Sequence, residues 1–171
     1  MKGLRTFAVV FAGLLLQACG GMPQTAEEFR KAVPGALMTK TDTYEVNRPM
    51  RDVAATFRRK APECLNVTVR TVSQTGTSYQ NILTAYKPTV VVTGERAELH
   101  VQQHHKTGVI SPSKPPEGGF YIVVADAYPM PGNRTRIQLY GPSKGYDVLY
   151  RAIRGWASGD NLGCPDMTKI G

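Results

Sequence analysis

Between Ala97 and His104 the chain alternates without interruption. Ala97, Leu99 and Val101 fall on one side, and Glu98, His100, Gln102 and His104 on the other. A period of two over eight residues predicts a β-strand with one buried face. Weaker alternation marks a first strand at 41–47, where Thr43 and Glu45 oppose Tyr44 and Val46, and further strands at 67–70, 79–86, 89–93 and 135–140. Pro88 is expected to interrupt the run between the second and third of these, because it cannot donate to a ladder. Residues 120–126 (Phe-Tyr-Ile-Val-Val-Ala-Asp) are apolar on both faces, which predicts a central, covered strand whose closing Asp126 serves a turn.

Two segments change the period to that of a helix. Val53, Phe57 and Ala61 recur at i, i+4 and i+8 after Pro49, with Pro62 expected to end the helix and leave Cys64 just beyond it. Tyr146, Leu149, Tyr150, Ile153, Trp156 and Ala157 make a broader stripe, with Ser143 as the expected cap and Gly159 and Gly163 after it. A short helix is predicted after Thr25, which stands three residues before Glu28 at capping-box spacing and precedes Phe29 and Val33 on one face. Together these predict a two-layer α+β domain. Its antiparallel sheet has about five to six strands, with two main helices on one face, in the order β-α-β-β-β-β-β-α. The order resembles that of helix-grip folds, in which a curved sheet wraps a long C-terminal helix. That group includes lipid-binding modules and a lipoprotein subunit of the outer-membrane β-barrel assembly machinery.

The N-terminus has a different character. Lys2 and Arg5 precede ten apolar residues at 7–16, and Leu16-Gln17-Ala18-Cys19-Gly20 follows. A membrane-spanning helix needs roughly 20 such residues, so this stretch has the length of a secretory signal and not of an ordinary anchor. Basic head, apolar core, small residue and cysteine stand in the register of a lipobox, and the segment resembles the export signal of bacterial lipoproteins. That resemblance implies cleavage before Cys19 and acylation of Cys19. It also implies a signal peptide at 1–18, a lipidated tether with a short helix at 19–40, and a single α+β domain at 41–171. Gly20, where Asp would specify inner-membrane retention in enteric-type sorting, implies an outer-membrane position facing the periplasm.

This address changes how composition is read. Loss of Lys2 and Arg5 with the signal lowers the net charge from +8 to +6. The remaining charge is spread over Arg58-Arg59-Lys60, Arg134, Arg136, Arg151 and Arg154. In the envelope it argues for anionic headgroups or acidic partners and against nucleic acid. Of three cysteines, lipidation uses one, which leaves Cys64 and Cys164 to pair in an oxidising compartment.

Chemistry-bearing motifs are sparse. His100 and His104 share a strand face but stand about 13 Å apart, too far to share one metal ion. The chain has no His-Glu-x-x-His motif or P-loop. No catalytic residue, metal or cofactor is therefore expected. The candidate interaction segment is the long connection 106–119, with Val109, Ile110, Lys114, Pro115 and Pro116, because connections of that length in a compact domain are commonly functional. A second candidate is an apolar cavity between sheet and last helix beside Tyr146, Leu149 and Trp156. The functional expectation is a membrane-anchored, noncatalytic module that binds an envelope protein or anionic envelope component; the alternative is a carrier of a small apolar or lipid ligand.

Overall fold

The faultless alternation at 97–104 lies within an inner strand of a six-stranded sheet. The computed structural model describes residues 21–75, 78–107 and 115–170. Helix α1 (Ala26–Ala32) leads through a 3-10 turn (Val33–Gly35) into β1 (Thr39–Val46) and α2 (Met50–Leu65). Five strands follow in succession: β2 (Thr68–Thr75), β3 (Ser78–Val92), β4 (Ala97–Thr107), β5 (Phe120–Met130) and β6 (Arg134–Pro142). Helix α3 (Asp147–Ser158) and a 3-10 turn (Met167–Lys169) close the chain. All neighbours in the sheet are antiparallel, in the order β1-β6-β5-β4-β3-β2. This is the two-layer α+β architecture expected from the periodicity.

The two main helices cover one sheet face. Val53, Phe57, Ala61 and Leu65 of α2 and Leu149, Ile153 and Trp156 of α3 are fully buried in one core with Leu99, Val101, Val123, Ala125, Ile137 and Leu139. Each fully buried Leu, Ile or Phe contributes about 1.5–3 kcal/mol, so this layer is the main source of stability. Arg48 stitches the helices together, donating from Nη1 to the Trp156 and Ala157 carbonyls and from Nη2 to the Asp52 carbonyl. It thereby supplies donors to the orphan C-terminal carbonyls of α3. The α3 helix stops at Gly159, whose φ of +91° is a left-handed conformation suited to glycine.

Several boundaries differ from expectation, each for a local reason. Pro62 does not end α2, and Cys64 sits within its last turn. The carbonyl that Pro62 leaves without its helical donor belongs to Arg58, and both residues lie on the exposed side of α2, where that carbonyl is not shut into the core. Pro88 does not split β3. The Tyr86 N–H points toward β2, where it donates to the Val67 carbonyl, and position 88 points the same way. Because β2 pairs with β3 only as far as Thr68 and Ala85, the proline withholds no ladder bond there. Strand β5 runs on through Met130, so Asp126 is mid-strand and not at a turn. Ser143 does not cap α3: the N-cap is Tyr146, and the Ser143 N–H donates to the Met38 carbonyl.

Cys64 and Cys164 form a disulfide that closes a sequence separation of 100 residues. It ties the end of α2 to the segment after α3, where Met167 returns to the core. On the chain-entropy account such a loop contributes up to about 4.7 kcal/mol. Reduction, or replacement of both cysteines by alanine, should lower the urea midpoint while leaving the far-ultraviolet circular dichroism of the native state unchanged. An unaltered midpoint would contradict the role given to the bridge.

Candidate functional site

The other sheet face, called outer below, carries the polar side chains of the alternation. Among the described residues it is covered by α1 and by the chain that returns into β5. Helix α1 begins with Thr25 Oγ1 accepting from the Glu28 N–H at 3.1 Å, while Glu28 reaches back to the N–H of Gln24 at 2.7 Å. The predicted cap is thus present, shifted by one residue in its reciprocal half. Phe29 packs on the Tyr121 ring at 6.1 Å. The side chain that docks the helix is one the sequence did not single out, Arg30.

Glu98 on β4 and Asp126 on β5 stand directly opposite each other. Like charges so placed destabilise a sheet. Arg30, only 8% exposed, neutralises them: Nε and Nη2 donate to the two Asp126 oxygens at 2.6 and 2.8 Å, and Nη2 also meets Glu98 Oε2. Its Nη1 donates to Glu27 at 3.1 Å, and His100 Nδ1 bonds the second Glu98 oxygen at 2.7 Å. Burial alone would raise the Glu98 carboxyl. Hydrogen bonds from His100 and Arg30, with the Arg30 charge, outweigh it and hold the group at about 2. Burial opposes the Arg30 charge in the same way, and the two carboxylates overcome it, keeping the guanidinium firmly protonated. Asp126 has no exposed surface and both its oxygens are engaged. Paired carboxylates can serve acid–base chemistry, but these are sealed under α1 and act as a latch.

Beyond the latch lies a cleft of about 490 Å³, within the size range of ligand sites. It is lined by residues 66–68 at the start of β2, by Ala85, Tyr86 and Lys87 of β3, by His104 and Lys106 of β4, and by Pro115, Pro116, Gly118 and Gly119. Lys87 and Ala85 stand opposite Gln102 and His104 in register, which puts these four side chains on the outer face. Two lysines and a histidine therefore border the cleft, and no carboxylate is among the described residues that line it. Burial, with Tyr146 nearby, pushes the Tyr86 phenol up to about 12, so it stays neutral at physiological pH.

The rim of the cleft is built rigidly. Gln102, itself buried, donates from Nε2 to the carbonyls of Glu117 at 2.9 Å and Gly119 at 2.8 Å. The Gly119 N–H donates to the Pro116 carbonyl, which closes a turn. Gly119 has a φ of +104°, and a Cβ there would lie 2.2 Å from the Gln103 carbonyl oxygen. The backbone thus packs directly on β4, beside the register shift at Val101/Gln102.

The sequence-predicted residues fall out as follows. Pro115 and Pro116 border the cleft, with Pro116 buried. Val109, Ile110, Lys114 and the lipidation residue Cys19 lie outside the described residues. The three histidines are not brought together: His100 belongs to the latch, His104 to the cleft, and His105 bonds Thr84 Oγ1 at 3.0 Å. Leu149 and Trp156 are buried in the core, with Tyr146 packed against it, and the cleft described above is lined by other residues. Among the described residues, the one group of possible metal ligands is Glu63, Cys64 and Cys164, and its thiols are consumed by the disulfide. No helix of the described residues is long and apolar enough to cross a membrane.

No protein family and no curated protein matches the chain. Among solved structures it is similar to a hypothetical protein of Helicobacter pylori, jhp0584, at 9% identity and a TM-score of 0.41, over 82% of this chain and 94% of that one. It is also similar to the di-domain ARO/CYC StfQ from the steffimycin biosynthetic pathway, at 10% identity and a TM-score of 0.29, over 72% of this chain and 43% of that one. Likenesses of this strength carry no argument about function.

The latch makes a sharp prediction. Arg30→Met should cost about 3–5 kcal/mol by urea unfolding, because it leaves two opposed carboxylates buried. Adding Glu98→Gln and Asp126→Asn should recover part of the loss. The pH dependence follows from Glu98. Its folded value of about 2 lies below its ordinary 4.5. Its contribution is therefore complete above about 4.5 and is lost as pH falls through about 2. Glu98→Gln should flatten the stability curve across that window; an unchanged slope would remove Glu98 from the latch.

Proposed function

We propose that the protein is a noncatalytic binding module of the bacterial envelope, held at the membrane by acyl chains on Cys19. Its cleft engages an anionic envelope component, either a protein segment or a small acidic molecule. The observation that carries this reading is the cleft itself: Lys87, Lys106 and His104 converge on a preformed hollow without a lining carboxylate among the described residues. Such a site attracts negative charge and rejects positive charge. Support for the anchor comes from the lipobox register at 16–20 and from the disulfide, which belongs to an oxidising compartment.

Two measurements test the reading. Cys19→Ser should release the protein from the membrane fraction while its domain stays folded; retention in the membrane would contradict the lipid anchor. A photo-crosslinking residue at Lys87 should give a discrete adduct in cells, and the same residue at Arg58, on the exposed flank of α2, should not. The adduct should weaken by tenfold or so in a Lys106→Glu background, about 1.4 kcal/mol. Equal adducts from positions 87 and 58 would rule the cleft out as the binding site.

A further inference from the structure

The turn that joins the 3-10 turn at Val33–Gly35 to β1 places two large apolar side chains in solvent side by side. Leu37 is 94% exposed and Met38 73%, more than any other large apolar residue described. Single exposed apolar residues need no explanation, but these two are adjacent and rigidly presented. Thr39 Oγ1 donates to the carbonyls of Val33 and Ala36, the Ala36 N–H donates to the Val33 carbonyl, and the Ser143 N–H donates to the Met38 carbonyl at 2.8 Å. Met38 has a φ of +59°, a conformation that Gly or Asn adopts readily and a bulky side chain does not. A turn selected for folding alone would carry a small polar residue there.

The surroundings indicate what the turn meets. Lys144 follows Ser143 at the turn and is exposed, and Lys40 lies two residues on from Met38. Lys40 stands over the Tyr150 ring, with Asp147 the carboxylate in reach at 3.9 Å. The described chain starts at Gly21, just before α1, and Met22 is also half-exposed. Six residues from Cys19 to Thr25 span at most about 21 Å, and α1 with its 3-10 turn rises only about 16 Å. The lipidation residue and the apolar turn are therefore tied to the same small region of the domain.

We propose that the 35–38 turn is a membrane-contacting wedge that places Leu37 and Met38 in the headgroup region of an anionic bilayer, with Lys40 and Lys144 at the phosphate level. This rests on the lipid-anchor reading, and it adds an orientation. A domain held only by a flexible tether would tumble, whereas the wedge fixes which surface faces the membrane.

The test uses the mature chain from Cys19, which contains every contact described above. Its Cys19 thiol is coupled to a maleimide-headgroup lipid in vesicles of phosphatidylethanolamine and phosphatidylglycerol. The tether is then set chemically, so failure of acylation in cells, read separately from the Cys19→Ser fractionation, does not affect the outcome. Leu37→Trp is compared with Val72→Trp, an exposed position on β2. Trp156, fully buried, supplies a constant background. The Leu37→Trp emission should shift to the blue and be quenched by lipids brominated near the headgroup, by at least about half, with Val72→Trp unaffected. Introducing Met38→Asn, which suits the backbone, together with Lys144→Glu should abolish the quenching without changing the unfolding midpoint downward. Solvent-like, unquenched emission from Leu37→Trp would overturn the proposal and leave the turn to a protein partner.

Discussion

Glu98 and Asp126 face each other across the two central strands, and the sheet tolerates them because the Arg30 guanidinium stands between them. Much depends on that contact. It fixes α1 on the outer sheet face, which sets where the 35–38 turn projects. A hydrophobic dock would fix a seven-residue helix poorly, since so short a helix has little apolar surface to bury. A bidentate, buried ion pair fixes it in one register. Replacing such a pair by well-packed apolar residues is often neutral or stabilising, so its value here lies in specifying position.

The two sheet faces carry different tasks. On the helix face, α2 and α3 close over a continuous apolar layer, and Arg48 and the disulfide fasten the ends of those helices. Among the described residues, α1 and residues 115–119 are the segments that lie on the outer face. Between β2, β3 and the returning loop it leaves the cationic cleft. A stable helix face lets the outer face remain partly open, which is the arrangement a binding module requires. The same arrangement keeps the apolar turn and the latch on α1 and its immediate continuation.

What could be read from the sequence was what periodicity encodes. The alternation of Leu99 and Val101 with Glu98 and His100 assigned the faces of β4, and the stripe from Leu149 to Trp156 assigned the buried side of α3. The pairing of Cys64 with Cys164 followed from counting. Boundaries failed at Pro62 and Pro88, because whether a missing N–H matters depends on which side of the chain has a partner. The latch was invisible for a stronger reason. Glu98 and Asp126 are 28 positions apart and become neighbours only in the sheet register, and Arg30 lies a further 68 positions upstream of Glu98. Nothing local marks such a triad. The cleft was half-legible: the length of the 106–119 connection pointed to Pro115 and Pro116, but Lys87 and His104 joined them only through the pairing of β3 with β4.

The proposed membrane placement rests on acylation of Cys19. Intact-mass spectrometry of the protein extracted from cells is the most direct measurement of that claim. The account predicts that residues 1–18 are absent and that the new N-terminal cysteine carries a diacylglyceryl thioether and an amide-linked acyl chain, with the 64–164 disulfide intact. A chain that retains Met1 and an unmodified Cys19 thiol would contradict it.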